Sequence, residues 1–440
     1  MNKPIILMNT LIMPKATDSL ETWLSYLEQA HSKPIDMGLE RITSVAEGLD
    51  LLTPAPYVIT VGGTNGKGST CRLLEVALLK AGFRVGVYSS PHLIRYNERV
   101  RINGELLPDS EHIQAFAEIH AKKTASLTYF EFSTLSALLL FNQHKVDIAI
   151  LEVGLGGRLD ATNIVSPNMA IITSIDIDHV AFLGDNREDI GREKAGIFRE
   201  NIPVIIGEPD CPNSIKSIVS SLNCHAFYRN EDWQFEIKNN LFNWYSKEKS
   251  FKDLPLPLIP IPNAGTALAA LNQLPFEIDE QIIREAFLES QMTGRFQLLT
   301  VQDFAKFSKK QPLAQVIIDV GHNPHAARYL AERLQALKQP NQKVYAVFSA
   351  LEDKDLSGIV EPLDNVIDEW HCAGLDCWRG QSGEAVLEKL AKVLPNSTAC
   401  SHKTVPEAGL MLFEKAKSED IILVFGSFHT VADFMLWLDN

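Results

Sequence analysis

The stretch Tyr57–Thr70, which reads YVITVGGTNGKGST, decides the fold of this 440-residue chain. It opens with five residues (YVITV) that are mostly β-branched and apolar, which is typical of a buried strand. Four glycines follow around Lys67, and a helical pattern of apolar residues begins at Ser69. A strand, a glycine-rich turn, a lysine and a helix N-terminus form a cradle for phosphate, because backbone N–H groups point at the anion and the lysine adds positive charge. The stretch therefore predicts nucleotide binding.

The loop departs from the standard phosphate-loop pattern G-x-x-x-x-G-K-[ST] at two positions. Val61 stands where the first glycine is expected, and Gly68 stands where the hydroxyl is expected, with Ser69 and Thr70 displaced beyond it. The alternative is a glycine-rich turn that merely joins a strand to a helix. The order of strand, lysine, hydroxyls and helix favours phosphate binding, but it leaves the reaction open.

Composition and charge exclude several classes of protein. The formal net charge of −14 argues against a general nucleic-acid binder, although a local cradle can still bind an anionic substrate. No segment approaches the roughly 18 apolar residues that span a membrane. The apolar run PIILMNTLIMP near the N-terminus is short and lacks the basic region and cleavage site of a secretory signal. These features predict a cytoplasmic protein of two or three domains without nucleic-acid or membrane partners.

The six cysteines are scattered, and none forms a C-x-x-C pair. The spacing therefore indicates neither a zinc site nor a disulfide framework, and it predicts reduced, mostly structural thiols.

Strands that alternate with helices predict an α/β protein with a parallel sheet covered on both faces. After the phosphate loop, strands are expected at 84–88, 147–153 and 169–175. Ligands of such sheets lie outside the carboxyl ends of the strands. Those ends carry four polar segments, which we expect to converge at one edge: Gly62–Ser69, Ser89–Ser90, Glu152–Asn163 and Asp176–His179.

The rest of the chain predicts smaller elements and a second domain. Residues 226–258 are aromatic-rich and alternating, which suggests small antiparallel strands appended to the main sheet. A new α/β cycle begins near residue 293, so we predict an N-terminal domain over residues 1–292 and a smaller C-terminal domain over residues 293–440. Its predicted strands are Val316–Val320, Val344–Phe348, Val366–Trp370 and Ile421–Phe425.

Several polar residues could carry chemistry. Glu152 ends a buried strand, where a carboxylate is costly unless it is paired or binds metal, and Ser90 offers a second oxygen ligand suited to Mg²⁺. His179 alone is more often structural or catalytic than a magnesium ligand. Lys194 lies in a charged helix and, taken alone, is expected at the surface. Asp319 either closes a strand before a helix capped by Asn323, or binds a ribose or base, and the residues leave both readings open.

In combination, a set of motifs resembles the folate enzymes of the Mur ligase superfamily, the dihydrofolate synthases and folylpolyglutamate synthases. The motifs span roughly residues 20–435, and they are VGGTNGKGST, YSSPHLIRYNERVR, LTYFEFSTLSAL, ILEVGLGGRLDATN, DHVAFLG, REKAGIF, PNAGTALAAL, GRFQ, DVGHNPHA, DKD and VFGSFHTVAD. The resemblance implies a Mur ligase central-type ATPase domain followed by a Rossmann-like α/β domain. IDMGLER, LTYFEF and GSFHTVAD are most similar to the bifunctional bacterial type.

The resemblance implies an ATP-dependent ligase that adds L-glutamate to 7,8-dihydropteroate and to reduced folates through an acyl phosphate. It implies ATP and two Mg²⁺ ions as cofactors, with K⁺ as an optional further cation, and a monomer. The implied nucleotide contacts are Thr64, Asn65, Gly66, Lys67, Asn263, Arg295 and Asp319. The implied metal ligands are Ser90, Glu152 and His179, with a carbamylated Lys194 helping to hold the second ion, and His322 is placed near the transferred phosphate. The implied dihydropteroate contacts are Met37, Gly38, Leu39, Glu40, Thr128, Tyr129, Phe130, Glu131, Leu159, Asp160 and Ala161.

Three alternatives stay open on the sequence. One is a folylpolyglutamate synthase without the first activity, and a second is a Mur-type peptide ligase. The latter generally has a domain of about 100 residues before the loop, whereas Gly62 is reached sooner here. The third is a nucleotide-binding switch or small-molecule kinase. Two departures from the family pattern are Gly321 in place of a common alanine and FSALEDKD in place of the more usual methionine–leucine version before DKD. Neither is itself among the implied site residues.

Overall fold

The computed structural model of the protein describes residues 13–306 and 314–440. They form two compact units. The first contains residues 13–256 and 262–287, and the second contains residues 257–261, 288–306 and 314–440. The predicted domain boundary after residue 292 lies close to this division. Most of the apolar run at residues 4–14 falls outside the described residues, and none of the described helices is long and apolar enough to cross a membrane.

The first unit is built on an eight-stranded sheet with the order β4-β3-β2-β5-β1-β6-β7-β8. Its strands are β1 (Tyr57–Gly62), β2 (Val85–Tyr88), β3 (Val100–Ile102), β4 (Glu105–Leu106), β5 (Ile148–Glu152), β6 (Met169–Ile172), β7 (Pro203–Ile206) and β8 (His225–Tyr228). The pairs between β2 and β8 are parallel, as predicted, whereas β3 and β4 add an antiparallel edge that the sequence did not indicate.

The strand that precedes the phosphate loop lies in the interior of this sheet, between β5 and β6. Val61 pairs with Glu152, and Gly62 pairs with Ile172. The register therefore brings the carboxyl ends of β1, β5 and β6 to one edge, which is the convergence expected for a parallel α/β sheet.

Helices and a small second sheet complete the first unit. The helices are α1 (Leu20–Gln29), α2 (Glu40–Gly48), α3 (Lys67–Lys80), α4 (Asp109–Lys122), α5 (Tyr129–His144), α6 (Val180–Leu183), α7 (Arg187–Lys194), α8 (Asn213–Ser221), α9 (Ile261–Leu271, which begins on a residue of the second unit) and α10 (Glu280–Glu289, which ends in the second unit). One large hydrophobic core lies between α1, α2, α4, α5 and the sheet, and another buries β6, β7 and the helices α7 and α8. Both faces of the sheet are thus covered.

The antiparallel strands predicted within residues 226–258 exist, but they are not appended to the main sheet. They are β9 (Trp233–Lys238), β10 (Leu241–Ser246) and β11 (Ser250–Leu254), and they form a separate sheet with the order β11-β10-β9. The aromatic residues explain the separation, because Trp233 and Trp244 stack on each other and Phe242 packs against Phe287 of α10. These side chains give the small sheet its own apolar face.

The second unit contains a six-stranded sheet with the order β12-β13-β17-β14-β15-β16. Its strands are β12 (Gln297–Leu299), β13 (Gln315–Asp319), β14 (Val344–Phe348), β15 (Glu369–Ala373), β16 (Ala399–His402) and β17 (Ile421–Phe425). Its helices are α11 (Val301–Phe304), α12 (Pro324–Leu337), α13 (Leu356–Val360), α14 (Gly383–Val393), α15 (Val405–Lys415) and α16 (Phe428–Asp439). All pairs are parallel except that of β12 with β13, so the smaller α/β fold is as predicted.

The strand predicted at Val366–Trp370 lies three residues further along the chain, at Glu369–Ala373. Val366 and Ile367 are buried, but they pack in the turn before the strand, and β15 begins at Glu369. The backbone N–H of Asp368 donates to the carbonyl of Val344, and its carboxylate accepts from the N–H of Val344 at 2.8 Å. Apolar character predicted burial correctly, but it did not distinguish a buried turn from a strand.

Candidate active site

The phosphate loop lies at the carboxyl end of β1 and is fixed by the loop after β6. The N–H of Thr64 donates to the carbonyl of Ser174 at 2.8 Å, and Thr173 donates its hydroxyl to the carbonyl of Asn65 at 2.6 Å. Gly66 has a φ of +85°, and a Cβ there would lie 2.3 Å from Oδ1 of Asn263. Both the backbone conformation and the space therefore require glycine. Asn263 on α9 is thus next to the loop.

Two lysine side chains converge on one carbonyl of this loop. Lys67, the first residue of α3, donates from Nζ to the carbonyl oxygen of Gly63 at 3.1 Å and to that of Thr64 at 3.2 Å. Lys194 at the end of α7 donates from Nζ to the same Gly63 carbonyl at 3.0 Å. The two amines therefore lie side by side at the place where an anion is expected.

The expectation that Lys194 lies at the surface is wrong, because its exposed fraction is 4%. A Cβ on Gly157 would lie 2.8 Å from the carbonyl oxygens of both Glu193 and Lys194, so the missing side chain lets the end of α7 approach the loop after β5. Burial, and then the charge of Lys67, lower the pKa of Lys194 to about 7. The charges of Asp178 and Asp160 raise the pKa of Lys194, but their effects are smaller than those of burial and of Lys67. Near neutral pH the amine is consequently available in its uncharged, nucleophilic form.

A small cavity of about 20 Å³ lies between the phosphate loop and the segment after β5. This volume is close to that of one bound water or ion. It is lined by Gly63, Thr64, Lys67, Gly154, Leu155, Gly156, Asp178, His179, Leu183 and Lys194. Of these, Gly63, Asp178, Leu183 and the segment Gly154–Gly156 were not named individually as site residues from the sequence, although all but Leu183 lie in segments expected at this edge. The position of those segments at the carboxyl ends of β1, β5 and β6 was the available signal.

The three residues expected to bind metal lie on the loops around this edge. Glu152 is 4% exposed, and its Oε2 accepts from the backbone N–H of Ser90 at 3.3 Å. His179 has a φ of 52° and immediately precedes α6, in a left-handed conformation that is uncommon outside glycine. A buried carboxylate, a hydroxyl and an imidazole are chemically suited to a divalent cation, and His179 is the one of the three that lines the cavity. The residues present therefore fit a magnesium site.

The three segments expected to contact dihydropteroate lie near one another in the first unit. Arg41 at the start of α2 donates from Nη2 to Oε1 of Glu131 at 2.9 Å. Glu131 in turn accepts from the N–H of Thr128 at 2.7 Å, which closes a capping box at the start of α5. The 3-10 helix at 161–164 contacts both α2 and α5. Two helix N-termini and one loop thus form a single wall.

The acidic members of this wall serve its structure. Both oxygens of Asp160 are used, since Oδ2 accepts from the N–H of Leu155 at 2.8 Å and Oδ1 accepts from the N–H of Thr162 at 3.0 Å. Burial raises the pKa of Asp160 despite these bonds. Phe130 contacts the space beside Gly154, where a Cβ would lie 2.5 Å from its ring. Aromatic surface and backbone therefore line this wall.

A second cluster lies in the second unit, at the carboxyl end of β13. The carboxylate of Asp319 accepts from the N–H of Phe296 at 2.7 Å and from the N–H of Gly321 at 2.6 Å. Burial raises the pKa of Asp319, whereas the charge of Arg295 lowers it. Nδ1 of His322 lies 2.9 Å from the carbonyl of Val320. Asn323 caps α12 by accepting from the N–H of Ala326, so the capping expectation is confirmed.

A buried ion cluster in the first unit, near the sheet edge that carries Ser90, was not predicted from the sequence. Glu75 of α3 is 0% exposed and accepts from Nη1 of Arg72 and from Nε of Arg101, each at 3.0 Å. Nη1 of Arg101 donates to the hydroxyl of Ser89, the residue before Ser90, at 3.3 Å. The helical pattern of α3 gave no signal for it, because Arg101 comes from the unpredicted strand β3. The cluster braces the loop that carries Ser90.

Comparisons with known proteins show the family to which the chain belongs. The chain matches the family described as Mur ligase middle domain over residues 61–271 and the family described as Mur ligase, glutamate ligase domain over residues 294–428. A dihydrofolate synthase/folylpolyglutamate synthase of Haemophilus influenzae is 55% identical over 96% of this chain and 98% of its own length.

Two solved structures that are similar to this chain contain bound ligands. The structure of E. coli FolC in complex with DHPP and ADP has a TM-score of 0.91 and 48% identity, covering 97% of this chain and 99% of its own. A bifunctional folylpolyglutamate synthase/dihydrofolate synthase with Mn, AMPPNP and L-glutamate bound has a TM-score of 0.87 and 48% identity, covering 96% and 98%.

Proposed function

The chain belongs to the dihydrofolate synthases/folylpolyglutamate synthases of the Mur ligase family, and from this premise we propose how its residues carry out the reaction. The protein is an ATP-dependent ligase that joins L-glutamate to 7,8-dihydropteroate, giving dihydrofolate, and to reduced folates, giving folylpoly-γ-glutamates. The observation that carries the proposal for the site is the pair of lysines, Lys67 and Lys194, on the Gly63 carbonyl beside an ion-sized cavity.

The reaction needs an activated carboxylate, because a carboxylate is a poor acylating agent at neutral pH. A carboxylate oxygen of the pteroate or folate attacks the γ-phosphorus of ATP, and the bond to the β–γ bridging oxygen breaks to release ADP. The amine of L-glutamate then attacks the acyl phosphate, loses a proton and expels phosphate. The protein's task is to align these anions and stabilise the charge that develops.

We assign the phosphates of ATP to the loop Thr64–Lys67. The N–H groups at the start of α3 and the ammonium of Lys67 form the positively polarised end of this cradle. The Lys67 hydrogen bonds to the loop's own carbonyls hold its ammonium beside that end of α3. Asn263, which packs against Gly66, is placed to contact the nucleotide from α9.

We propose that Ser90, Glu152 and His179 hold one Mg²⁺ ion, because Glu152 lies beside Ser90, His179 lines the cavity, and all three follow strands whose carboxyl ends share one sheet edge. Such an ion supplies charge neutralisation for the phosphates when it is bound. We further propose a second Mg²⁺ ion near Lys194, with K⁺ as an optional additional cation.

The environment of Lys194 supports its carbamylation. An amine whose pKa is lowered to about 7 is substantially uncharged at neutral pH, and only that form attacks CO₂. The nitrogen forms a bond to the carbon of CO₂ and releases one proton, which converts the side chain into an anionic carbamate. A cation beside Lys67 thus becomes a carboxylate that attracts Lys67 and the second metal ion.

For the pterin substrate we propose the wall formed by residues 37–40, 128–131 and 159–161. Tyr129 and Phe130 offer aromatic surface. Arg41 and Glu131 link the first two segments, while Asp160 fixes the conformation of its own loop. In the second unit we propose that Arg295 and Asp319 contact the nucleotide and that His322 acts near the transferred phosphate. The Asp319 bonds to backbone N–H groups fix its carboxylate for that role.

A folylpolyglutamate synthase without dihydrofolate synthase activity remains the second candidate, favoured where dihydropteroate fails as an acceptor. We further propose a cytoplasmic monomer. The deciding experiment measures ADP release with each substrate omitted in turn, with 7,8-dihydropteroate and tetrahydrofolate compared as acceptors. ADP release with each of the two acceptors, dependent on L-glutamate in both cases, supports the bifunctional ligase. Glutamate-dependent release with tetrahydrofolate but not with 7,8-dihydropteroate selects the second candidate. Release that does not depend on L-glutamate overturns both.

A further inference from the structure

A cluster of two histidines and a cysteine lies in the second unit, on the edge of its six-stranded sheet. His371 is on β15, and Cys400 and His402 are on the edge strand β16. In the parallel register His371 pairs with Cys400, so their side chains leave the sheet on the same face, and His402 shares that face because it is two residues further along β16. The strands therefore bring together three ligand types that are far apart in sequence.

The ligand atoms of this cluster converge. Nδ1 of His371 lies 2.9 Å from Nε2 of His402, and Sγ of Cys400 lies 3.5 Å from the first and 3.4 Å from the second. A tetrahedral zinc ion with Zn–N bonds of about 2.0–2.1 Å and a Zn–S bond of about 2.3 Å places its ligand atoms about 3.3 Å (N to N) and about 3.5 Å (N to S) apart. Both sulfur distances fit as they stand, and the two nitrogens need to separate by only a few tenths of an ångström.

The surroundings orient the ring of His371 for this purpose. Nε2 of His371 lies 3.1 Å from Oε1 of Glu369, on the same strand and face, and Glu369 is in turn paired with Lys415. Donation of Nε2–H to this carboxylate leaves the lone pair of Nδ1 directed at the cluster, which is the carboxylate–histidine arrangement found behind metal ligands.

We propose that His371, Cys400 and His402 bind one zinc-class divalent cation, separate from the magnesium-type ligands of the first unit. A thiolate and two imidazoles select a borderline-soft transition metal over Mg²⁺, which prefers oxygen ligands. Binding releases the thiol proton of Cys400 to solvent and leaves both rings neutral. Cys400 is half-buried, whereas His371 is fully buried and His402 is 8% exposed, so the fourth position opens toward the cysteine side and takes a water molecule. The ion fastens the edge strand β16 to β15.

Cobalt spectroscopy tests this site without relying on activity. The full-length protein, reduced and stripped of metal, is supplied with Mg²⁺ and a non-hydrolysable ATP analogue and then titrated with Co²⁺. We expect a thiolate-to-cobalt charge-transfer band that saturates at one equivalent and disappears on adding Zn²⁺. Cys400→Ser removes the band. Cys377→Ser, which changes another half-buried cysteine of the same unit outside the cluster, retains it.

A second measurement covers the case in which Cys400→Ser does not fold. In the wild-type protein, Zn²⁺ protects Cys400 from alkylation by iodoacetamide, read by peptide mass spectrometry with Cys377 as the internal reference. Absence of a charge-transfer band in the wild type, a band that survives Cys400→Ser, or equal alkylation of Cys400 with and without Zn²⁺ each overturns the proposal. The three side chains are then a metal-free hydrogen-bonded cluster.

Discussion

Two buried charges of the first unit, Glu75 and Lys194, lie in opposite electrostatic surroundings. Glu75 is 0% exposed and accepts hydrogen bonds from two arginines, Arg72 and Arg101. Lys194 is 4% exposed, donates to a neutral carbonyl and shares that carbonyl with a second cation, Lys67. One charge is compensated by opposite charges, while the other faces a like charge.

The difference separates a structural charge from a functional one. The attraction of two guanidinium groups offsets the desolvation cost of the buried Glu75 carboxylate, and the cluster braces the neighbouring loop. A buried lysine beside another lysine opposes folding, and it persists where the reaction requires it. The pKa of Lys194 is lowered because burial and the charge of Lys67 both disfavour its protonated form. The two residues should therefore respond to substitution in opposite ways.

The largest effect is expected for Glu75→Ala. Arg101, held by Glu75 at 3.0 Å, then loses its buried counter-charge. Removing one partner of a buried ion cluster costs about 3–5 kcal/mol, so the free energy of unfolding in urea should fall by that amount. Glu118→Ala is the matched control, because it breaks an exposed helical pair with Lys122 worth less than about 0.5 kcal/mol. Equal losses in the free energy of unfolding for the two variants would show that the buried Glu75 cluster stabilises the fold no more than an exposed ion pair does.

Lys194→Ala is expected to lower kcat for ADP release by about 10²–10³, the range for losing one preorganised charge in an active site, while the fold stays intact. Arg192→Ala, on the same helix and exposed, should leave kcat unchanged. Added short carboxylic acids should restore part of the activity of Lys194→Ala, because the vacated space accepts a carboxylate. Near-normal turnover of Lys194→Ala without any added carboxylate would refute the assignment.

A smaller effect is expected for the stability of Lys194→Met, measured without nucleotide and in CO₂-free buffer. The pKa of Lys194 is lowered from 10.5 to about 7 on folding, so the unfolded chain binds more protons between these values and wild-type stability rises with pH across that window. Below pH 7 the full cost of burying the ammonium is present. Below pH 7 the free energy of unfolding of Lys194→Met in urea should therefore exceed that of the wild type by about 1–3 kcal/mol. This difference in stability should shrink as the pH rises. A variant less stable than the wild type at every pH would contradict the comparison.

The sequence predicted the phosphate loop, the parallel order around it and the edge where Ser90, Glu152 and His179 lie, because strand ends and glycines are local signals. It could not predict the burial of Lys194 from its charged helix. That burial depends on the close approach of α7 to Gly157, which is a tertiary contact. The family resemblance, which rests on the combination of motifs, was what pointed to Lys194.

Other features also depended on long-range pairing. The antiparallel edge strands β3 and β4 are only three and two residues long, so no run of apolar residues marked them. The buried Val366 and Ile367 looked like a strand because burial in a turn and burial in a sheet use the same residues. His371, Cys400 and His402 come together only through the register of β15 with β16, which spacing along the chain does not reveal.

Carbamylation of Lys194 is tested by ¹³C NMR of the enzyme equilibrated with ¹³C-labelled bicarbonate. We expect a carbamate resonance in the wild type that is absent from Lys194→Ala, present in Arg192→Ala, and lost as the pH falls below about 7, where the Lys194 amine becomes protonated. Activity should decline in parallel when CO₂ is withdrawn. A wild-type enzyme that shows no carbamate resonance and keeps full activity in CO₂-free buffer would contradict the account.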